Sequence, residues 1–107
     1  MSMNTHAQQA ADAVAPEIAS AYDAKSQGLV VKSKNWMISA ANPLAVQAGA
    51  KILAAGGSAA DAMVATQTVL GLVEPQSSGL GGGAFLVWYD AASGKLTTID
   101  GRETAPM

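Results

Sequence analysis

The sequence predicts a mixed α/β fold of the α+β kind, and one that is incomplete as it stands. Three observations carry this. Two successive apolar stretches, "NPLAVQAGAKILAAGG" and "SAADAMVATQTVLGLVE", have helix start and stop residues at their ends. Two strand-like runs follow, "AFLVWYD" and "KLTTID", joined by a glycine-containing turn. Finally, 50% of the residues are apolar and only 13% are charged, against about 25% charged in an ordinary soluble domain. A small domain exposes a larger share of its surface and needs more polar cover, not less, so these proportions anticipate neighbours.

Taken in order, residues 1–28 are rich in Ala and Gln and poor in large apolar groups, and the segment is expected to be mostly disordered or loosely packed. Val14, Ile18 and Tyr22 repeat at helical spacing and allow one short docked helix, with Pro16 inside it at a cost of about 3 kcal/mol. Leu29 to Val31 and Trp36 to Ser39 suit strands, and the second is expected to join the sheet of the later hairpin. Asn42 is a good N-cap and Pro43 falls at the first helical position, where its missing N–H costs nothing. Leu44, Ala48, Ile52 and Ala55 then form an apolar stripe, and Gly56 or Gly57 ends the helix in a left-handed conformation. Ser58 followed by Asp61 resembles a capping box. From Ala62 to Val73 there is no charge, which predicts a helix covered on most sides. The run Ala84 to Asp90 is almost continuously apolar and suits a strand covered on both faces; with Gly94 in the turn, it forms a hairpin ending at Asp100. Trp36 and Trp88 are expected in packing. The organisation is thus an N-terminal segment over 1–28 and one domain piece over 29–107.

Several function classes are disfavoured. A net charge of −2 does not suit a nucleic-acid binder, which normally carries a basic face; Lys32 and Lys34 are an isolated pair. There is no cysteine, so there is no disulfide framework or thiolate metal site. His6 is a lone histidine, whereas metal sites need several ligands, and no metal or cofactor is expected. No run approaches the ~20 apolar residues of a membrane span. The N-terminus lacks the basic start and apolar core of a signal peptide.

The stretch Gly79 to Gly83 has four glycines in five positions. Gly79, Gly81 and Ala84 match the spacing G-x-G-x-x-A of a dinucleotide loop. That motif works by following a strand and opening a helix whose N-terminal amides receive the pyrophosphate. Here a helix precedes and a strand follows, so the phosphate reading loses its physical basis. Close approach remains: glycine leaves no Cβ to clash, and a glycine run entering a strand marks a place where backbone or ligand comes near. Tight packing and a turn lining an active site both satisfy that description.

The order "SAANPLAVQAGAKILAAGGSAADAMVATQTVLGLVEPQSSGLGGGAFLVWYD…IDGRETAP" resembles the N-terminal part of the large subunit of γ-glutamyltransferases, also called γ-glutamyl transpeptidases or glutathione hydrolases. The likeness runs from about Val30 to Pro106 and rests on A-N-P-L-A, G-G-x-A-x-D-A, E-P-x-S-S-G-x-G-G-G and D-G-R-E-T-A-P in that order. It implies an N-terminal-nucleophile hydrolase, an αββα sandwich of which this chain holds part. It implies a precursor that cuts itself into a large and a small subunit, the new N-terminal threonine of the small subunit attacking the γ-carbonyl of a γ-glutamyl amide such as glutathione. A terminal threonine can use its own α-amine as base. The acyl group then passes to water, an amino acid or a peptide.

The resemblance maps the family's substrate-binding arginine onto Arg102, the only arginine in the sequence. Its planar guanidinium matches a carboxylate in two parallel hydrogen bonds. Asp100 and Glu103 are expected to orient the guanidinium or the turn, and Gly81, Gly82 and Gly83 to support the site. A surface arginine pairing with Asp100 and Glu103 is the plainer alternative. No catalytic residue is assigned: Thr66, Thr68, Thr97, Thr98 and Thr104 match no nucleophile motif. The 107 residues are therefore expected to be inactive alone, their partners being the γ-glutamyl substrate, the rest of the large subunit and the small subunit. A periplasmic or secreted location is implied by the resemblance. The competing reading is a non-catalytic α/β interaction module or the product of a decayed gene.

Overall fold

The computed structural model describes residues 15–106. Three helices precede one hairpin: α1 (Pro16–Ser26), α2 (Pro43–Ala54), α3 (Ala59–Val73), β1 (Ala84–Asp90) and β2 (Lys95–Gly101).

Pro16 lies in the first turn of α1, not in its interior. The expected proline penalty does not arise, because an N–H in the first turn has no intrahelical partner to lose. The helix docks through Ile18, its one buried residue, and Tyr22 is exposed. Val14, like the rest of residues 1–14, lies outside the described residues.

Residues 29–41 contain no strand. This corrects the reading of Leu29–Val31 and Trp36–Ser39 as strands, and of the second as a member of the hairpin sheet. β-Propensity says that side chains suit a pleated surface; it does not supply a partner edge. β1 and β2 bond only to each other, and the extended segment instead carries Ile38 onto the helix pair.

Both ends of α2 follow the sequence. The Asn42 side chain accepts from the Leu44 N–H at 3.0 Å. At the far end Gly56 has φ 86°; its N–H bonds the Leu53 carbonyl at 3.0 Å and that of Gly57 bonds the Ile52 carbonyl at 2.9 Å, a Schellman motif. α3 opens with the expected capping box: the Asp61 N–H donates to Ser58 Oγ at 3.2 Å and the Ser58 N–H to Asp61 Oδ2 at 3.0 Å.

The core sits where α2 crosses α3, and it is built from small residues: Ala45 and Gly49 on one side, Ala62 and Thr66 on the other. The buried face of α2 is thus turned by about one residue from the expected stripe, and Leu44 is exposed. Gly49 explains the shift. A Cβ there would meet the Ile38 and Thr66 side chains and lie 3.1 Å from the Ala62 carbonyl oxygen, so only glycine permits this approach. The Thr66 hydroxyl donates to the Ala62 carbonyl at 2.8 Å and is satisfied within the core.

The expected cover of α3 on most sides is not found: its far face leaves Val64 and Leu72 60% and 78% exposed. β1 is likewise open on both faces. The reason is a shortage of neighbours. α3 packs on α2 alone, and the hairpin makes no comparable packing on the helices. The radius of gyration is 16.4 Å, against about 13 Å for a compact chain of this size.

Candidate functional site

The hairpin pairs in the register Ala84↔Gly101 through Asp90↔Lys95, which brings the glycine stretch before β1 beside the residues that follow β2. The turn at the other end is closed by Asp90, whose carboxylate accepts from the Ala92 N–H at 3.0 Å and the Ser93 hydroxyl at 2.6 Å.

The stretch 74–83 is fastened at its ends. At the first, the Glu74 carboxylate accepts from Gln76 Nε2 at 2.6 Å and from Asn42 Nδ2 at 3.3 Å, while its carbonyl accepts from the Ser77 and Ser78 N–H groups at 3.1 and 2.9 Å. At the second, the Gly83 N–H donates to Glu103 Oε1 at 2.7 Å. Between them one weak turn bond runs from the Gly82 N–H to the Gly79 carbonyl at 3.3 Å.

Close approach, open to two readings in the sequence, is located by the structure at one glycine. A Cβ at Gly83 would collide with the Glu103 carboxylate and lie 2.9 Å from the Gly101 carbonyl oxygen. At Gly79 and Gly81 nothing lies within 4 Å, and at Gly82 the nearest atom is the Gly79 carbonyl oxygen at 3.6 Å.

Arg102 stands just past β2. Its main-chain N–H donates to Asp100 Oδ1 at 3.0 Å, so Asp100 fixes the backbone at the arginine. Arg102 Nη1 lies 3.5 Å from Glu103 Oε2, with the arginine side chain 72% exposed. An exposed pair of this length is weak, and the guanidinium faces solvent with most of its five donors free. Glu103 is the shared partner: one oxygen holds the glycine turn, and the other is near the guanidinium. Hydrogen bonds from its own main-chain N–H and from the Gly83 N–H hold its carboxyl below the usual glutamate range.

A groove of about 590 Å³ runs along the glycine stretch, lined by Gln67 of α3, Ser77, Ser78, Gly83 and Glu103. Gly82 also borders it, whereas Gly81 and Arg102 do not. Arg102, Asp100, Glu103 and Gly83 are therefore brought together, and Arg102 neighbours the groove only through Glu103. Sequence reasoning overlooked Gln67, whose place depends on how α3 meets the glycine stretch, and Glu74, whose signal was its position directly before Pro75.

A groove lined by amides, hydroxyls and the Glu103 carboxylate together with Pro75, Leu80 and Ala84 lies next to a glycine turn, and the exposed guanidinium beside Glu103 is the one group there suited to pair with a small anion. Comparison with known proteins places the chain. The family model described as gamma-glutamyltranspeptidase matches residues 45–107, and the chain belongs to that family. It is 48% identical over 73 residues to the glutathione hydrolase proenzyme of Bacillus subtilis strain 168, covering 68% of this chain and 12% of that protein. Among solved structures it is similar to the Helicobacter pylori gamma-glutamyltranspeptidase, with a TM-score of 0.66 at 37% identity over 73% of this chain and 22% of that one. The transpeptidase CapD of Bacillus anthracis gives 0.62 at 44% identity, over 69% and 26%. The chain thus spans about an eighth of the length of its curated relatives. The three helices and two antiparallel strands of the described residues are a partial α+β piece of the N-terminal-nucleophile hydrolase fold those structures share. No helix among the described residues is long and apolar enough to cross a membrane.

Proposed function

We propose that this chain forms the carboxylate-binding wall of a γ-glutamyltransferase, an enzyme that cleaves γ-glutamyl amides such as glutathione and passes the γ-glutamyl group to water, amino acids or peptides. Arg102 takes the α-carboxylate of the γ-glutamyl group. Asp100 and Glu103 orient the backbone and guanidinium, and Gly81, Gly82 and Gly83 shape the turn beside it. The observation that carries this reading is a guanidinium left 72% exposed beside a backbone pinned by Asp100 and a turn pinned by Glu103. A carboxylate that displaces water from such a guanidinium gains a bidentate charge-assisted contact, which at so exposed a group contributes about 1.5–3 kcal/mol net, the range of one hydrogen bond to a charged group.

Nothing in residues 15–106 matches the self-activating terminal threonine that the family resemblance implies, so the reacting atoms meet a nucleophile supplied by a small subunit. The remainder of the large subunit and that small subunit are the partners, and the family resemblance favours a periplasmic or secreted location. The test is turnover of a chromogenic γ-glutamyl anilide. The 107-residue chain alone should show none; turnover by it would overturn the assignment of the nucleophile to a small subunit. In a longer protein that carries this segment, Arg102→Ala weakens γ-glutamyl binding and leaves self-cleavage of the precursor intact.

A further inference from the structure

Within that reading of the site, we infer that Glu103 is a positioning residue that clamps the glycine turn to the backbone bearing Arg102, and that the clamp's carboxylate, together with the Gly101 carbonyl, occupies the place of a Cβ at Gly83. The contact spans 20 residues of sequence yet is a short charge-assisted bond, 2.7 Å from the Gly83 nitrogen to Glu103 Oε1; such bonds are about twice as strong as neutral ones. It also joins two segments fixed elsewhere: Gly83 directly precedes β1, and Glu103 follows an arginine whose N–H is held by Asp100. The guanidinium pair at 3.5 Å is exposed and loose, so the clamp acts on the backbone around Arg102 more than on its side chain.

Two neighbouring glycines separate this inference from a general need for flexibility. Gly81 and Gly83 both lack positive φ, so neither needs glycine for its backbone dihedral. A Cβ at Gly81 meets open space, whereas one at Gly83 meets the Glu103 carboxylate and the Gly101 carbonyl oxygen. The clamp is also acid-labile, since a protonated carboxyl accepts more weakly. Arg102 is the charged group in contact with Glu103, and the groove that Glu103 faces is otherwise lined by uncharged side chains.

The experiment is an acid titration of the 107-residue chain by NMR, following the Gly83 amide and the Glu103 carboxyl carbon, with no substrate present. The Gly83 amide should move with the Glu103 carboxyl, at a midpoint below that of an ordinary glutamate. Glu103→Gln should abolish that movement, Gly83→Ala should raise the Glu103 midpoint, and Gly81→Ala should leave it in place. A Gly83 amide that ignores the Glu103 titration in the unmodified chain overturns the clamp, and so does an equal response to the two alanine substitutions. The Ser58 amide, reporting on Asp61 far along the sequence, shows whether each variant is folded. Because no substrate is involved, the clamp can stand or fall separately from the ligand assigned to Arg102.

Discussion

Gly49 and Gly71 are both helical glycines, and they should respond to alanine in opposite directions. At Gly49 the new methyl meets Ile38, Thr66 and the backbone of α3. The backbone cannot yield without moving the helix, and overpacking of this kind costs about 1–3 kcal/mol, more than the ~1 kcal/mol that alanine gains in helix propensity. At Gly71 nothing lies within 4 Å, so propensity alone acts and Gly71→Ala should stabilise by about 0.5–1 kcal/mol. Urea midpoints of the two variants check this: Gly49→Ala should fall below the parent and Gly71→Ala should rise above it. The helical stripe in the sequence ran through Leu44, Ala48, Ile52 and Ala55, yet the closest contact is made by Ala45, Gly49, Ala62 and Thr66. Periodicity identifies an apolar face but not the point at which two faces come nearest, and that point selects for small residues. The Glu103–Gly83 bond was out of reach for a similar reason, since it follows from the hairpin register and leaves no local pattern.

Among the elements, those whose ends are written in side-chain chemistry were the legible ones. Asn42 with Pro43, Ser58 with Asp61, and Gly94 in the hairpin turn each fix a boundary through a local contact, and each is found as expected. The glycine cap of α1 was equally available. Gly28 has φ 71°, and its N–H and that of Leu29 close a Schellman motif on Lys25 and Ala24. Residues 29–41 were misread because a strand is defined by its partner as well as by its composition. Three elements also end on carboxylates held below their ordinary range. Asp61 is lowered by the Ser58 hydroxyl and then the Ser58 N–H, Asp90 by the Ser93 hydroxyl and then the Ala92 N–H, and Glu103 by its own N–H and then that of Gly83. A carboxyl whose folded pKa is depressed contributes stability above its unfolded value, and that stability is lost as pH falls through the folded one. The contribution of these three is therefore present and nearly constant between about pH 5 and 7, and stability should decline below about pH 4. Thermal midpoints across that range test this, and Ser58→Ala combined with Ser93→Ala should flatten the decline.

At the scale of the whole molecule, the chain exposes apolar surface that the sequence places in a core. Phe85 and Val87 on one face of the hairpin are each 69% exposed; across the other face, Leu86 pairs with an exposed Ile99. The low charge content anticipated this, and the chain spans about an eighth of the length of its curated relatives. In the proposed site, Asp100 holds the backbone at Arg102 and Glu103 holds the glycine turn, and the guanidinium is exposed. The most direct test compares two substrates in a full-length γ-glutamyltranspeptidase carrying this segment: a γ-glutamyl anilide and the γ-aminobutyryl anilide that lacks only the α-carboxylate. If Arg102 grips that carboxylate, Arg102→Ala lowers kcat/KM for the first by about 10–150-fold, the equivalent of about 1.5–3 kcal/mol, and leaves the second unchanged. An equal loss on both substrates, or none on either, contradicts it.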